Sequence, residues 1–283
     1  MRAPDRPVRI RLDQLVVDRG LAASRSRAEA LVQAGHVRVG RGDAARTNLK
    51  PGDRVPADEP IELVAREPFV SRGGHKLAAA LDAFELDPAG LVCLDVGAST
   101  GGFTDLLLQR GAARVYALDV GRGQLAEALR RDPRVVSMER TNARALGPGK
   151  LPEPIGLAVV DVSFISLGLV LGPVASTFGP AGGPLVPLVK PQFEAGRGVV
   201  KGGVVRDPSV HLAVLRRVVE LARGLGLAVV DAIASPILGP EGNREFLLHL
   251  RVPSAGPLDA GAAGAEEMAG LDARLVALAE GAA

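Results

Sequence analysis

Charged residues close several apolar runs in this chain, and the carboxyl ends of parallel strands are where open α/β sheets place their chemistry. Residues 157–160 form one such run and end at Asp161, while residues 185–189 form another and deliver Lys190. Residues 114–118 end at Asp119, and Glu245 begins the apolar run 246–250. Lys76 lies in Ser71-Arg72-Gly73-Gly74-His75-Lys76-Leu77, which opens a helix with Leu77, Leu81 and Phe84 on one face. Taken singly, each is a strand-end charge meeting water. Taken with Asp119 and a glycine turn, their shared place at one sheet edge is hard to dismiss.

A glycine-rich turn says what that edge would face. Residues 91–104 read L-V-C-L-D-V-G-A-S-T-G-G-F-T, a strand, a turn and the start of a helix. Glycines let the backbone turn tightly and approach a ligand, with free N–H groups facing it. Gly97, Ala98, Ser99, Thr100, Gly101, Gly102 and Phe103 are therefore candidates to hold a nucleoside-bearing cofactor. Asp119, 22 residues beyond Gly97, has the spacing of a carboxylate that binds ribose hydroxyls. A third strand near residues 135–136 leads to Asn142, placed to reach an adenine edge. Asp161 faces the same region.

Two cofactors compete. A nicotinamide enzyme shows G-x-G-x-x-G, whose central glycine lets the backbone meet a pyrophosphate. Aligning Gly97 and Gly102 with the ends of that motif puts Ser99 at its centre. The turn instead resembles that of S-adenosylmethionine enzymes, whose ligand has no pyrophosphate.

These strands and helices predict an α/β fold, a Rossmann-like domain preceded by a small α+β module. Residues 9–20 read as a short helix stopped by glycine, and Ser24 caps a second helix that ends at Gly35. Strand-like pieces around Val37 and Val39 follow. Residues 1–50 carry eleven Lys and Arg against five Asp and Glu, whereas the rest of the chain has a surplus of four acids. Such asymmetry suggests a basic module that meets a polyanion. Arg9, Arg11, Arg25, Arg27, Arg38 and Arg41 are its candidate phosphate contacts, with Arg72 and His75 at the entry to the larger domain. Arg197 and Lys201, among glycines directly after Lys190, predict a basic loop able to close over a nucleic acid.

Composition narrows the remaining classes. One cysteine and four scattered histidines offer neither a disulfide framework nor a metal site. Residues 162–189 contain no charge, but Pro173, Pro180, Pro184 and Pro187 argue against a spanning helix, so no stable membrane association is expected. The Arg- and Pro-rich beginning lacks an apolar signal segment, and the cytoplasm is the expected compartment. A monomer is favoured. From residue 252 an Ala/Gly segment leads to a short helix with Met268, Leu271, Leu275 and Leu278 on one stripe.

With the motifs in this order the sequence resembles the TlyA family, ribosomal RNA ribose methyltransferases historically also called hemolysin A. The resemblance runs from about Arg9 to Leu250 and rests on S-R-G-G-H-K-L, D-V-G-A-S-T-G-G-F-T, D-V-S-F-I-S-L, V-K-P-Q-F-E and G-N-R-E-F. The front module is similar to the RNA-binding domain named for ribosomal protein S-four, and the larger domain to the FtsJ class. The resemblance implies an S-four-type module over residues 1–66, a linker over 67–70, a methyltransferase domain over 71–252 and a tail over 253–283. It implies S-adenosylmethionine as cofactor, ribosomal RNA or ribosomal subunits as partner, and methylation of a cytidine ribose 2′-hydroxyl in the large subunit, with the small subunit as a second candidate. The family's Lys-Asp-Lys-Glu tetrad falls on Lys76, Asp161, Lys190 and Glu245. In that mapping Lys190 takes the hydroxyl's proton or steers its lone pair, Asp161 orients Lys190, Lys76 holds the target nucleotide and Glu245 fixes a lysine. One motif departs: the family linker often carries Arg-x-Trp-Val, where this chain reads Arg66-Glu67-Pro68-Phe69-Val70. A non-catalytic RNA-binding protein with a vestigial cofactor fold is the competing class. A membrane-active hemolysin is implied only by the family's older name.

Overall fold

The chain divides into two units, residues 1–68 and 69–283. The structure, a computed structural model, describes residues 8–42, 45–64, 68–196, 203–239, 241–254 and 265–281. Arg66 and Glu67 of the linker, and the loop residues Arg197 and Lys201, lie outside the described residues.

The first unit contains β1 (Arg9–Arg11), α1 (Leu12–Asp18), α2 (Arg25–Gln33), β2 (Val37–Val39), β3 (Arg54–Pro56) and β4 (Ile61–Leu63). Residues 9–11 are thus a strand and not the start of a helix. They pair antiparallel with β3, Ile10 opposite Val55, which satisfies backbone groups that a first helical turn would leave open. Ser24 accepts from Arg27 N at 3.2 Å and caps α2. Leu12, Leu15, Val16, Ala28, Val32, Val37, Val39 and Val55 form the core.

One carboxylate sits inside that small core. Asp13 is fully buried on α1. Arg11 Nη2 lies 2.6 Å from its Oδ2 and Arg25 Nη2 lies 3.2 Å from the same oxygen. Gln14 N donates to its Oδ1 at 2.8 Å. Arg11 is half-buried and Arg25 exposed, and both share an internal partner in Asp13. Arg9, Arg27, Arg38 and Arg41 are exposed, although Arg9 donates to the Arg54 carbonyl and Arg38 pairs with Glu62.

The second unit runs through α3 (Gly73–Ala83), β5 (Val92–Val96), α4 (Gly102–Gln109), β6 (Arg114–Leu118), α5 (Glu127–Arg130), β7 (Val135–Met138), β8 (Leu157–Val160), α6 (Leu171–Ala175), β9 (Gly183–Val189), α7 (Pro191–Glu194), α8 (Pro208–Gly224), β10 (Ala228–Ala234), β11 (Phe246–Val252) and α9 (Ala265–Glu280). Its sheet has the order β10-β11-β9-β8-β5-β6-β7. Strands β5 to β9 are parallel where they pair, and β11 is antiparallel to both β9 and β10. Side chains alternate between the faces: Cys93, Val115, Leu157 and Val159 pack with α3 and α4. Leu94, Tyr116, Ala158 and Val160 pack with α6, α8 and α9. Burial on both faces explains why these strands read as unbroken apolar runs.

Pro184 and Pro187 lie within β9 instead of dividing it, and the paired register with β11 lapses between Leu188 and Leu185. The uncharged stretch therefore becomes α6, a turn and a buried strand. Among the described residues no helix is long and apolar enough to cross a membrane. The C-terminal helix is sixteen residues long, longer than its stripe suggests, and Leu275 and Leu278 enter the main core while Met268 stays exposed.

Hydrogen bonds from Arg11 hold the Asp13 carboxyl down at about 2. Because the folded value lies below the ordinary one, the group stabilises the module fully above about pH 4, and that contribution disappears as pH falls toward about 2. Asp13→Asn is expected to cost about 1–3 kcal/mol at pH 7, with the difference closing near pH 2. Hydrogen exchange of the α1 and α2 amides measures it, and equal protection of both proteins at pH 7 would show the ion pairs to be inert.

Candidate functional site

The site grows from the ends of five strands. Asp119, Asp161 and Lys190 immediately follow β6, β8 and β9, and the glycine turn follows β5. Strand β11 runs the other way, with Phe246 opposite Val189, so Glu245 just before it reaches the same edge. Lys76 arrives from the first turn of α3.

The turn is cut to fit its neighbours. Gly97 has φ 87°, and a Cβ there would overlap the Asp161 carbonyl. A Cβ on Gly102 would overlap Ser71 Oγ and lie 2.9 Å from Gly74 N, so α4 and α3 meet through bare backbone. Gly101, at φ 99°, abuts Leu125 and Leu129, so a Cβ there would meet those side chains. Asp119 braces the turn by accepting from Ser99 N at 2.8 Å and Gly121 N at 2.7 Å. Its carboxylate keeps further lone pairs for hydroxyl donors.

Three adjoining cavities meet at Asp161. One of about 450 Å³ is lined by Arg72, Lys76, Asp95, Gly97, Ala98, Ser99, Thr100, Gly102 and Phe103. A second of about 420 Å³ is lined by Asp119, Asn142 and residues 162–165, and shares Gly97, Ser99 and Asp161 with the first. The third, about 520 Å³, is lined by Lys76, Asp161, Ser163, Phe164, Lys190, Gln192, Phe193 and Glu245. The first two form an elongated place for a cofactor, and the third lies beside them.

All four residues of the predicted tetrad meet in the third cavity. Lys190 Nζ lies 2.6 Å from Asp161 Oδ1 and donates to Ser163 Oγ at 2.8 Å. Lys76 Nζ donates to Glu245 Oε2 at 2.5 Å, with both side chains nearly inaccessible to water. Removing one partner of a buried pair leaves an uncompensated charge, so these pairs fix geometry more than they stabilise. Arg72 is turned toward the cofactor side, where its Nη2 donates to the Leu238 carbonyl at 2.8 Å. The His75 ring packs edge-on against Phe69, 5.1 Å between centroids.

Four participants escape a reading of the sequence alone. Asp95 is completely buried within β5; its Oδ2 accepts from Thr104 N at 2.9 Å and Thr104 Oγ1 at 2.6 Å, while Oδ1 has no hydrogen-bond partner. Phe164 is 90% exposed at φ 63° and lies 4.9 Å from Phe193, at the mouth shared by the second and third cavities. Ser163 precedes it on the same wall. Glu194, buried at the end of α7, accepts from Ser166 Oγ at 2.8 Å and Leu167 N at 2.7 Å. Their only sequence signal was membership of the D-V-G-A-S-T-G-G-F-T, D-V-S-F-I-S-L and V-K-P-Q-F-E runs.

Known proteins show the same organisation. Residues 69–252 match the FtsJ-like methyltransferase family and residues 10–55 match the S4 domain. The chain is 48% identical over 255 residues to the 16S/23S rRNA (cytidine-2'-O)-methyltransferase TlyA of Mycobacterium tuberculosis, covering 89% of this chain and 93% of that protein. Hemolysin A of Brachyspira hyodysenteriae is 40% identical over 242 residues, covering 85% of this chain and 99% of that protein. A solved structure described as a hemolysin from Streptococcus thermophilus has a TM-score of 0.69 and 40% identity, covering 98% of this chain and 97% of that one.

Burial pushes the Asp95 carboxyl up to about 7, with the Asp161 charge adding to the effect and the Thr104 hydrogen bonds opposing it. The folded chain then holds this proton more tightly than the unfolded chain, so Asp95 costs stability increasingly as pH rises from about 4 to about 7. Asp95→Asn is expected to raise stability at pH 8 by about 2–4 kcal/mol and to leave it nearly unchanged at pH 4. Denaturant unfolding at the two pH values measures the difference; a gap independent of pH would show that Asp95 does not titrate in this range.

Proposed function

The chain belongs to the TlyA and hemolysin A group of FtsJ-like methyltransferases, and on that premise we propose that it methylates the ribose 2′-hydroxyl of a cytidine in ribosomal RNA, using S-adenosylmethionine. The observation that carries this reading is the pairing of two buried lysines with two carboxylates in a cavity that shares Asp161 with the cofactor cleft. A substrate in ribosomal RNA would place the protein where ribosomes are, in the cytoplasm.

The cleft suits S-adenosylmethionine. The unpartnered Oδ1 of Asp95, on the wall of the first cavity, is an acceptor waiting for a cationic donor such as an α-ammonium group. Asp119 offers its remaining lone pairs to a ribose diol, and Asn142 lies in the same cavity for an adenine edge. Ala98, Ser99, Thr100, Gly102 and Phe103 complete the enclosure. When bound, the cofactor supplies an electrophilic methyl group on a sulfonium.

The residues of the third cavity then present the nucleophile. Lys190 donates to Ser163 Oγ and lies 2.6 Å from the Asp161 carboxylate. A further N–H on Nζ would steer a lone pair of the 2′-oxygen toward the methyl group; as the C–O bond forms and the carbon–sulfur bond breaks, the hydroxyl proton would pass to the Asp161 carboxylate or to water. Glu245 fixes Lys76, which guides the nucleotide's phosphate. Because an existing positive charge is dispersed in the reaction and none has to be created, positioning supplies much of the acceleration. Phe164 is an exposed stacking surface for the displaced base. Arg9, Arg27, Arg38 and Arg41 of the front module, together with Arg197 and Lys201, would supply the phosphate contacts.

Lys190→Ala is expected to keep cofactor affinity and lose methyl transfer by at least about 100-fold. Labelled-methyl transfer to ribosomal subunits and to free rRNA, with the modified nucleotide mapped, measures this. Near-normal turnover would remove Lys190 from the mechanism, and an inactive wild type would favour a non-catalytic RNA-binding role. Phe164→Ala is expected to raise the KM for RNA about 5–50-fold, in line with about 1–2 kcal/mol of stacking, while Phe164→Tyr stays close to wild type. An unchanged KM in the alanine variant would show that no base rests there.

A further inference from the structure

We propose that Ser163 is a positioning residue for the methyl transfer: its hydroxyl fixes the orientation of Lys190 Nζ, which Asp161 holds nearby by charge, so that an N–H is directed at the acceptor hydroxyl. This rests on the methyltransferase reading above.

The argument begins with the freedom of a lysine. Its ammonium is a point donor on a four-carbon stem, and one carboxylate partner leaves the other N–H directions interchangeable. A tetrahedral nitrogen has four positions. In this structure Cε takes one and Ser163 Oγ accepts along a second at 2.8 Å, while Asp161 Oδ1 at 2.6 Å is an ion pair without hydrogen-bond geometry. The Ser163 bond therefore sets the rotation about Cε–Nζ and with it the direction of the other N–H groups, on a nitrogen that lines the acceptor cavity. Without Ser163 that rotation would be free, and water would compete with the ribose hydroxyl for the N–H groups.

Ser163 does not reach Lys190 by the accident of a surface rotamer. The segment after β8 and the segment after β9 run side by side and are joined at successive places. Asp161 and Ser163 meet Lys190; Phe164 meets Phe193 at 4.9 Å; Ser166 and Leu167 donate to the buried Glu194 carboxylate at 2.8 and 2.7 Å. Burying a carboxylate costs free energy that an apolar side chain would avoid, so the join is held at the expense of stability. Ser163 also lines both the second and third cavities, at the boundary the methyl group must cross.

Folding does not need this hydroxyl. Ser163 is exposed, and exposed side chains rarely change stability by more than about 0.5 kcal/mol. The full-length Ser163→Ala and Ser163→Thr variants should therefore fold, and their kinetics report on the site. For Ser163→Ala, kcat on rRNA is expected to fall about 10–50-fold, with the KM for RNA and the Kd for S-adenosylmethionine within about threefold of wild type. Ser163→Thr, which restores an acceptor, should recover kcat at least about fivefold over the alanine variant. The proposal is overturned if the alanine variant keeps kcat within twofold, if its loss lies in KM or Kd instead, or if alanine and threonine behave alike. An active wild type with an unaffected alanine variant overturns this role alone. A wild type that transfers no methyl group overturns the function and this role with it.

Discussion

Everything at the active edge depends on how closely the turn after β5 lies against the end of β8. Gly97 has no side chain, and the Asp161 carbonyl occupies the space a Cβ would need. The contact is reinforced by the bond from Asp161 N to the Val96 carbonyl at 2.8 Å. Asp161 is thereby held through its backbone to the cofactor turn and through its side chain to Lys190. Asp161 is common to all three cavities, and its place among them is set by strand pairing. Positioning of that kind can replace much of the chemical activation a weakly acidic hydroxyl would otherwise require.

The same edge concentrates features that oppose stability. Lys76, Asp95, Lys190, Glu194 and Glu245 are all buried there. Two non-glycine residues at the edge, Ser99 and Phe164, adopt positive φ, and Phe164 exposes a whole ring to water. Away from the edge the sheet is filled with leucine, valine and alanine on both faces, and helices cover each face. Unfavourable groups persist only where surrounding structure determines them, and they gather at functional sites. The apolar body thus supports an edge that could not be stable alone.

The strand-end residues were legible because a chain position carries its own address: a charge that closes an apolar run lies at the sheet edge whatever the strand order. What the sequence hides is adjacency. Ser163, Phe164 and Glu194 acquire meaning only once β8 and β9 are neighbours, since their partners lie 27 to 29 residues away on another loop. The glycines show a different ambiguity. Gly97 and Gly101 look equivalent in a motif, yet one is needed for a carbonyl and the other for two leucines. In the front module Asp13 stood within the apolar pattern of Leu12, Leu15 and Val16, a local warning that Arg11 and Arg25 had an internal partner. Arg9 to Arg11 misled because a short strand and a helix start share the same residues when the partner strand is 45 positions away.

Specificity for one nucleotide must come from outside the cofactor turn. Basic side chains attract any RNA, because phosphate contacts position a nucleic acid without reading its sequence. In the proposed mechanism, the lysine–carboxylate pairs would meet a ribose and a phosphate, which every nucleotide carries. A ribose in a continuous helix is held by stacking and pairing, and bringing it into a cavity beside a cofactor costs a few kcal/mol. Phe164 can return part of that energy, and it returns it for any base with a flat face. Discrimination then rests on which nucleotide in the folded RNA is cheapest to displace while the front module holds its own phosphates. On the proposed mechanism, target choice would then be a property of RNA shape matched to the module, with the methyl-transfer edge acting on whatever ribose that match presents.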